Sequence, residues 1–186
     1  YTWTTVSADP TGSIPGFYDT MSSDYDAGAF QVFGELAYRY AADENTEVEP
    51  YANFSYVGLN SDSFTETGTT AAALSVASES SNTYFSTIGL RAAADFVVMG
   101  QAGTEAYFDV GWRHAFGDIT PKSTAAFAGS APFTVSGVPL AENTALIGAG
   151  IDFALSKQAK LGFGYIGQFG DGVSQNSINA RLNVSF

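Results

Sequence analysis

Cysteine is absent, so the chain has neither a disulfide framework nor a thiolate metal site. Positive charge is scarce: 7 Lys+Arg stand against 19 Asp+Glu, a net charge of -12. That balance lacks the basic footprint that holds a phosphate backbone, which excludes nucleic acid as a partner. There is a single histidine. No stretch approaches the roughly 18 consecutive apolar residues of a membrane helix. The N-terminus has no basic and then apolar leader pattern, so a mature or excised segment is expected. With 45% hydrophobic and 14% charged residues, the chain is too apolar for disorder, and its length suits one domain spanning residues 1–186.

The sequence does have alternation. From Asn176 to Phe186, Ile178, Ala180, Leu182, Val184 and Phe186 share one phase, and Ser177, Asn179, Arg181, Asn183 and Ser185 the other. This is the period of a strand with unlike faces. Similar runs cover Asp26 to Ala41, Thr46 to Asn60, Asn82 to Phe96, Thr104 to Phe116, Glu142 to Ser156 and Gln158 to Phe169. A shorter run from Tyr1 to about Ser7 makes an eighth strand.

The charges indicate what the apolar phase touches. Glu35, Arg39, Glu47, Glu49, Arg91, Asp95, Glu105, Asp109, Arg113, Asp152, Lys160 and Arg181 all fall in the polar phase of their strands. An arginine or lysine facing lipid at the midplane costs roughly 2–4 kcal/mol, a sufficient reason for the segregation. A soluble barrel would need the reverse arrangement and could not pair so many buried ions. The expected fold is all-β, an antiparallel up-and-down transmembrane β-barrel with about eight strands present and its charges facing the lumen. A soluble sandwich with one wet face per sheet is the alternative.

Connection lengths alternate. Links are short at Lys157, around Gly100 to Gly103 and around Asp43 to Asn45. They are long from Ala8 to Tyr25, Ser61 to Ser81 and Gly117 to Ala141, and only the Gly170 to Val173 link breaks the trend. Membrane barrels have short periplasmic turns and longer outer loops, which puts the C-terminus on the periplasmic side. The long links read as acidic, mobile surface loops, with Phe127 to Val138 able to tuck an apolar edge against the barrel mouth. Trp112, Tyr38, Tyr40, Phe96, Phe153, Tyr165 and Phe169 lie in outward phases and suit the lipid interface.

Other features have competing readings. His114 could serve a hydrolase but lies in the lipid-facing phase near the outer interface, where a structural role suits it better. Asp109 with Arg113, and Glu35 with Arg39, stand four apart on one face and read as compensating ion pairs rather than acid–base pairs. Glu47 and Glu49 could hold a divalent ion, yet a solvated rim explains them equally, so no metal and no cofactor is assigned. Gly148, Gly150, Gly162 and Gly164 form an inward patch without side chains, suited to a helix or passing chain, or to a sharp bend in the wall.

Four segments together resemble the β-domain of bacterial autotransporters, the translocators of type V secretion. They are Phe33 to Arg39, Gly111 to Asp118, Phe127 to Gly129 with Gly137 to Ala141, and Tyr165 to Gly170. The similarity runs in order over nearly the whole chain. It implies a twelve-stranded outer-membrane barrel, inserted by the barrel-assembly machinery, that carries an attached passenger to the cell surface, commonly with a helical linker in its pore. Phe186 then corresponds to the C-terminal aromatic of the assembly signal. About eight strands match the C-terminal two thirds of such a domain, so a truncated translocator, by itself transport-incompetent, is expected. The alternatives are a self-contained small outer-membrane barrel with a structural or adhesin role, and an outer-membrane enzyme.

Overall fold

The computed structural model describes residues 1–9, 11–14, 17–68, 73–98, 101–156 and 158–185. Phe186, Lys157 and Gly100 lie outside them. No helix occurs among the described residues. The strands are β1 (Thr2–Ala8), β2 (Thr11–Ile14), β3 (Phe17–Thr20), β4 (Ser23–Ala37), β5 (Tyr40–Ala41), β6 (Thr46–Ser61), β7 (Phe64–Thr65), β8 (Leu74–Val76), β9 (Glu79–Val98), β10 (Gln101–Gly117), β11 (Lys122–Phe127), β12 (Phe133–Ser136), β13 (Asn143–Ala154), β14 (Ala159–Gly170) and β15 (Val173–Val184). The main pairing order is β1-β4-β6-β9-β10-β13-β14-β15, with β5 beside β6. Apart from β5, neighbours in this order are consecutive among the long strands, the up-and-down topology that alternation and short turns dictate. Each of the eight alternating runs overlaps one of these long strands, and the run from Asp26 to Ala41 also contains β5.

The strands are longer than a membrane requires. A spanning strand needs about 9–11 residues, whereas β9 has 20 and β10 has 17. Contact density divides the chain into two compact units.

The first unit comprises Tyr1–Val32, Tyr56–Tyr84 and Gly117–Leu140. Here β1 pairs with β4 in the register Trp3↔Gly28, Thr5↔Asp26 and Ser7↔Asp24. The Thr5 hydroxyl donates to Asp26 Oδ1 at 2.8 Å, and Ser7 does the same for Asp24. On this face, aromatic Trp3 and Phe30 thus give way to hydrogen-bonded acids and hydroxyls. Tyr56 lies between Phe30 and Tyr84, at 6.1 and 5.1 Å between ring centroids, and its hydroxyl donates to Asn82 Oδ1 at 2.7 Å.

The long links, expected as surface loops, contain strands of their own. β12, β11, β8 and β7 form a separate four-stranded sheet, with Thr124 paired to Thr134 and Ala125 to Val76. Ala125 of β11 is buried, and Phe127 and Phe133 are in ring contact at 5.8 Å. Phe133 and Val135 thus join a strand of this loop sheet. Gly117 turns the chain out of β10 at φ +89°, where a Cβ would lie against the Asn82 carbonyl. Asp118 Oδ2 accepts the Asn82 N–H at 2.8 Å, and its carbonyl accepts the Thr83 hydroxyl.

The second unit comprises Phe33–Ser55, Phe85–Phe116 and Ala141–Phe186. β13 pairs with β10 on one side and with β14 on the other, and β15 continues the ladder. Its buried hydrophobic side chains among the described residues are Tyr51 and Ala115, while Thr87, Thr104 and Thr144 are buried polar ones. The apolar phase stays uncovered: Leu36 is 82% exposed, Ile88 58% and Ile178 84%. Burying a Leu or Ile side chain is worth about 1.5–3 kcal/mol, so in water this arrangement would forgo most of the hydrophobic driving force.

Candidate functional site: the charged face

The polar-phase side chains of the second unit form layered rows set by register. Glu105 stands opposite Asp152, Asp152 opposite Gly162, and Gly162 opposite Arg181. Two residues along, Tyr107, Gly150, Gly164 and Asn179 make the next row. Asp109, Gly148, Ile166 and Ser177 make the one after it.

Arg91 is the centre of the ionic network. Its guanidinium donates to both carboxylate oxygens of Glu35, at 2.7 and 3.0 Å, and to Glu49 at 3.1 Å. Asp109 Oδ2 lies 3.6 Å from its Nε, and its Cζ stands 3.9 Å above the Tyr51 ring. The Tyr51 hydroxyl donates to Asp109 at 3.0 Å. Arg39 lies 3.5 Å from Glu47 and 3.4 Å from Glu49. A bidentate guanidinium–carboxylate pair is directional as well as attractive, so the network fixes how three carboxylates converge on one cation.

These partners correct the expected intrastrand pairs. Glu35 binds Arg91 rather than Arg39, and Asp109 approaches Arg91 rather than Arg113. The reason is metric: four residues along a strand span about 13 Å, whereas adjacent strands lie about 4.8 Å apart. Arg181 Nε donates to Asp152 Oδ1 at 3.2 Å, again across the sheet. Arg113 donates to Gln168 at 3.1 Å and stands 5.5 Å from the Phe85 ring. Asp95 and Glu105 make no ion pair within 4 Å among the described residues. Asp95 is exposed and Glu105 half-buried.

The glycines lie together, but they are not bare. A Cβ on Gly150 would enter the Tyr107 ring, and one on Gly164 would stand 2.9 Å from the Tyr107 hydroxyl oxygen. A Cβ on Gly162 would run into Asp152 and lie 2.9 Å from Arg181. Gly148 is the least crowded of the four, although a Cβ there would still lie tightly against Asp109 Cβ at 3.3 Å. The expected smooth patch is therefore a seat for Tyr107 and the Asp152–Arg181 pair. The same seating recurs where a Cβ on Gly111 would be 2.8 Å from the Tyr51 hydroxyl oxygen. Only the aromatic and glycine residues in polar phases could have signalled it from sequence.

Above the sheet floor lies a cavity of about 450 Å³, bordered by Arg39, Glu49, Arg91, Tyr107, Ile166 and Arg181. His114 faces the other way. Its Nδ1 is 3.1 Å from Asn143 Oδ1, and its ring lies in a row with Trp112 at 5.7 Å and Phe116 at 6.0 Å.

A family model described as Autotransporter beta-domain matches residues 1–166. Two extracellular serine proteases of Serratia marcescens are each 31% identical over 191 residues, covering 100% of this chain. The chain spans 18% of the length of these curated relatives. A match over most of its length, on antiparallel strands with an uncovered apolar phase and a charged opposite face, places the chain in the autotransporter β-domain family.

Proposed function

We propose that this chain is the membrane-embedded end of an autotransporter, anchoring it in the outer membrane while its charged face borders the route of an N-terminal passenger to the cell surface. The observation that carries this reading is the inverted burial: aliphatic and aromatic side chains stay exposed, the buried polar side chains among the described residues are Ser23 and threonines, and the Arg91–Glu35 ion pair on the opposite face is partly covered. Hydrocarbon is the medium in which that arrangement is favourable.

Residues 1–186 then act as one piece of a barrel wall. Glu35, Arg39, Arg91, Asp95, Glu105, Asp109, Arg113, Asp152 and Arg181 face its water-filled lumen, as does the glycine patch of Gly148, Gly150, Gly162 and Gly164. The short turns and the C-terminus lie on the periplasmic side, and Phe186 is the aromatic read by the barrel-assembly machinery. The chain itself carries no catalysis. The protease activity in the relatives' name belongs to those proteins as wholes, and this chain matches only 18% of each. By itself the chain anchors rather than transports.

The test is to express the parent protein with an epitope-tagged passenger in a Gram-negative host. The expected result is a passenger cleaved by protease added to intact cells and a β-domain recovered in the outer-membrane fraction. A passenger retained in the periplasm while the β-domain inserts normally would overturn the translocator role. Recovery of the β-domain in the soluble fraction would overturn the membrane placement.

A further inference from the structure

The sequence contains arginines at 39, 91, 113 and 181. Three of them meet carboxylates: Arg39 those of Glu47 and Glu49, Arg91 those of Glu35, Glu49 and Asp109, and Arg181 that of Asp152. Arg113 meets none within 4 Å among the described residues, although the chain carries an excess of acids.

Its surroundings are neutral by register. Thr144 stands opposite Arg113, and Gly170 opposite Thr144. The next row runs Gly111, Leu146, Gln168 and Gln175. Arg113 is half-buried, with the Phe85 ring 5.5 Å from its Cζ, and one of its guanidinium N–H groups is spent on the Gln168 carbonyl oxygen. A guanidinium has five N–H donors in a fixed fork, so donors remain, and the Gln168 amide nitrogen adds one beside them.

We infer that Arg113, Gln168 and Phe85 form a receptor for a carboxylate. One guanidinium neutralises one negative charge and matches the two carboxylate oxygens in its plane. A phosphate dianion would leave charge uncompensated in a chain of net charge -12. The carboxylate comes either from an acidic side chain of a segment lodged against the polar face or from a free small molecule. The first source rests on the translocator reading, whereas the site itself does not.

The test uses the 186-residue chain folded in detergent micelles, with 15N-labelled arginine, titrated with sodium acetate and, at matched ionic strength, sodium chloride. The Arg113 side-chain resonances are expected to shift saturably with acetate and not with chloride, while those of Arg39 and Arg181 stay still. With glutamine also 15N-labelled, the Gln168 side-chain amide reports the same titration in the variants, and R113Q removes its response. R113K keeps the charge but not the fork, and binds acetate about tenfold more weakly, the usual effect of losing one charge-assisted hydrogen bond. Heat-modifiable gel mobility checks that both variants fold, and R113K tests the inference if R113Q does not. Equal shifts with chloride, parallel shifts at Arg39 and Arg181, a response without saturation, or R113K binding as well as arginine would each overturn it. The titration is repeated on the chain extended by the parent's own upstream residues. Loss of the acetate response identifies a carboxylate of that segment as occupant, and an unchanged response identifies a free carboxylate. The acetate result does not depend on surface exposure of a passenger, so failure here and failure of the translocator reading are separate outcomes.

Discussion

Val32 and Phe33 are consecutive on β4 and point to opposite faces. Both are exposed, Val32 at 52% and Phe33 at 71%. In water, arginine at either position would alter stability by no more than about 0.5 kcal/mol, because neither side chain is packed. In a bilayer the two separate. Val32 is midway between Asp26, where hydroxyl–carboxylate pairs mark one end of the apolar band, and Tyr38, an exposed aromatic at the other. Val32→Arg therefore places a cation near the midplane, at a cost of roughly 2–4 kcal/mol, or about 30-fold to several-hundred-fold in the unfolding equilibrium. Phe33→Arg adds a cation on the face that already holds Glu35, and is expected to stay within about 0.5 kcal/mol of the parent. Urea unfolding of the chain in phospholipid vesicles, followed by tryptophan fluorescence and extrapolated linearly, measures both. Equal effects of the two substitutions, or a larger loss for Phe33→Arg, would refute the assignment of faces.

Gly150→Ala pushes a methyl into the Tyr107 ring and to 2.7 Å from the Phe163 carbonyl on β14. Overpacking of this kind costs about 1–3 kcal/mol. Urea titration should show that loss, and Tyr107→Ala in the same chain should recover part of it, whereas strictly additive losses would deny the ring contact. Arg91→Met leaves Glu35, Glu49 and Asp109 without their shared cation. With the arginine side chain 37% exposed, the expected loss is about 1 kcal/mol, discounted for solvent screening. A double-mutant cycle with Glu35→Gln should give a coupling energy that shrinks in high salt, and zero coupling at low salt would contradict the network. In the turn before β6, the Asn45 N–H donates to Asp43 at 2.8 Å, and this bond holds the Asp43 carboxyl below its ordinary range. A depressed folded-state value means that the turn's contribution is complete above the ordinary aspartate range and is lost as pH falls through the lower folded value. The protection of the Asn45 amide against exchange, measured relative to its intrinsic rate at each pH, should fall over that acid range, and an Asp43→Asn chain should show no such step.

The strands were legible because lipid on one side and ions on the other impose a period of two with little exception, as in β13 to β15. Segments with weaker alternation were not. β8 and β11 owe their strand conformation to pairing with each other, at Ala125↔Val76, and short segments of Ser, Thr and Ala carry no local signal of such a partner. Strand ends depart from the alternation for a related reason. The link bounds put Asp24 and Glu79 in loops, but β4 and β9 continue past the apolar band, where hydrogen bonds such as Ser7 to Asp24 replace aliphatic side chains. Charged residues were identifiable by phase, but their partners were not. Register decides which carboxylate meets Arg91, and phase alone does not supply register. The seating of Tyr107 on Gly150 and Gly164 escaped for the same reason.

The most direct measurement concerns the two tryptophans, Trp3 and Trp112, which lie in the apolar phase and are 56% and 48% exposed. With the chain inserted in vesicles of brominated phospholipid, the fluorescence of both should be strongly quenched relative to unbrominated vesicles, while aqueous acrylamide has little effect. Strong acrylamide quenching with no response to bromine would mean that water, not hydrocarbon, covers the apolar face.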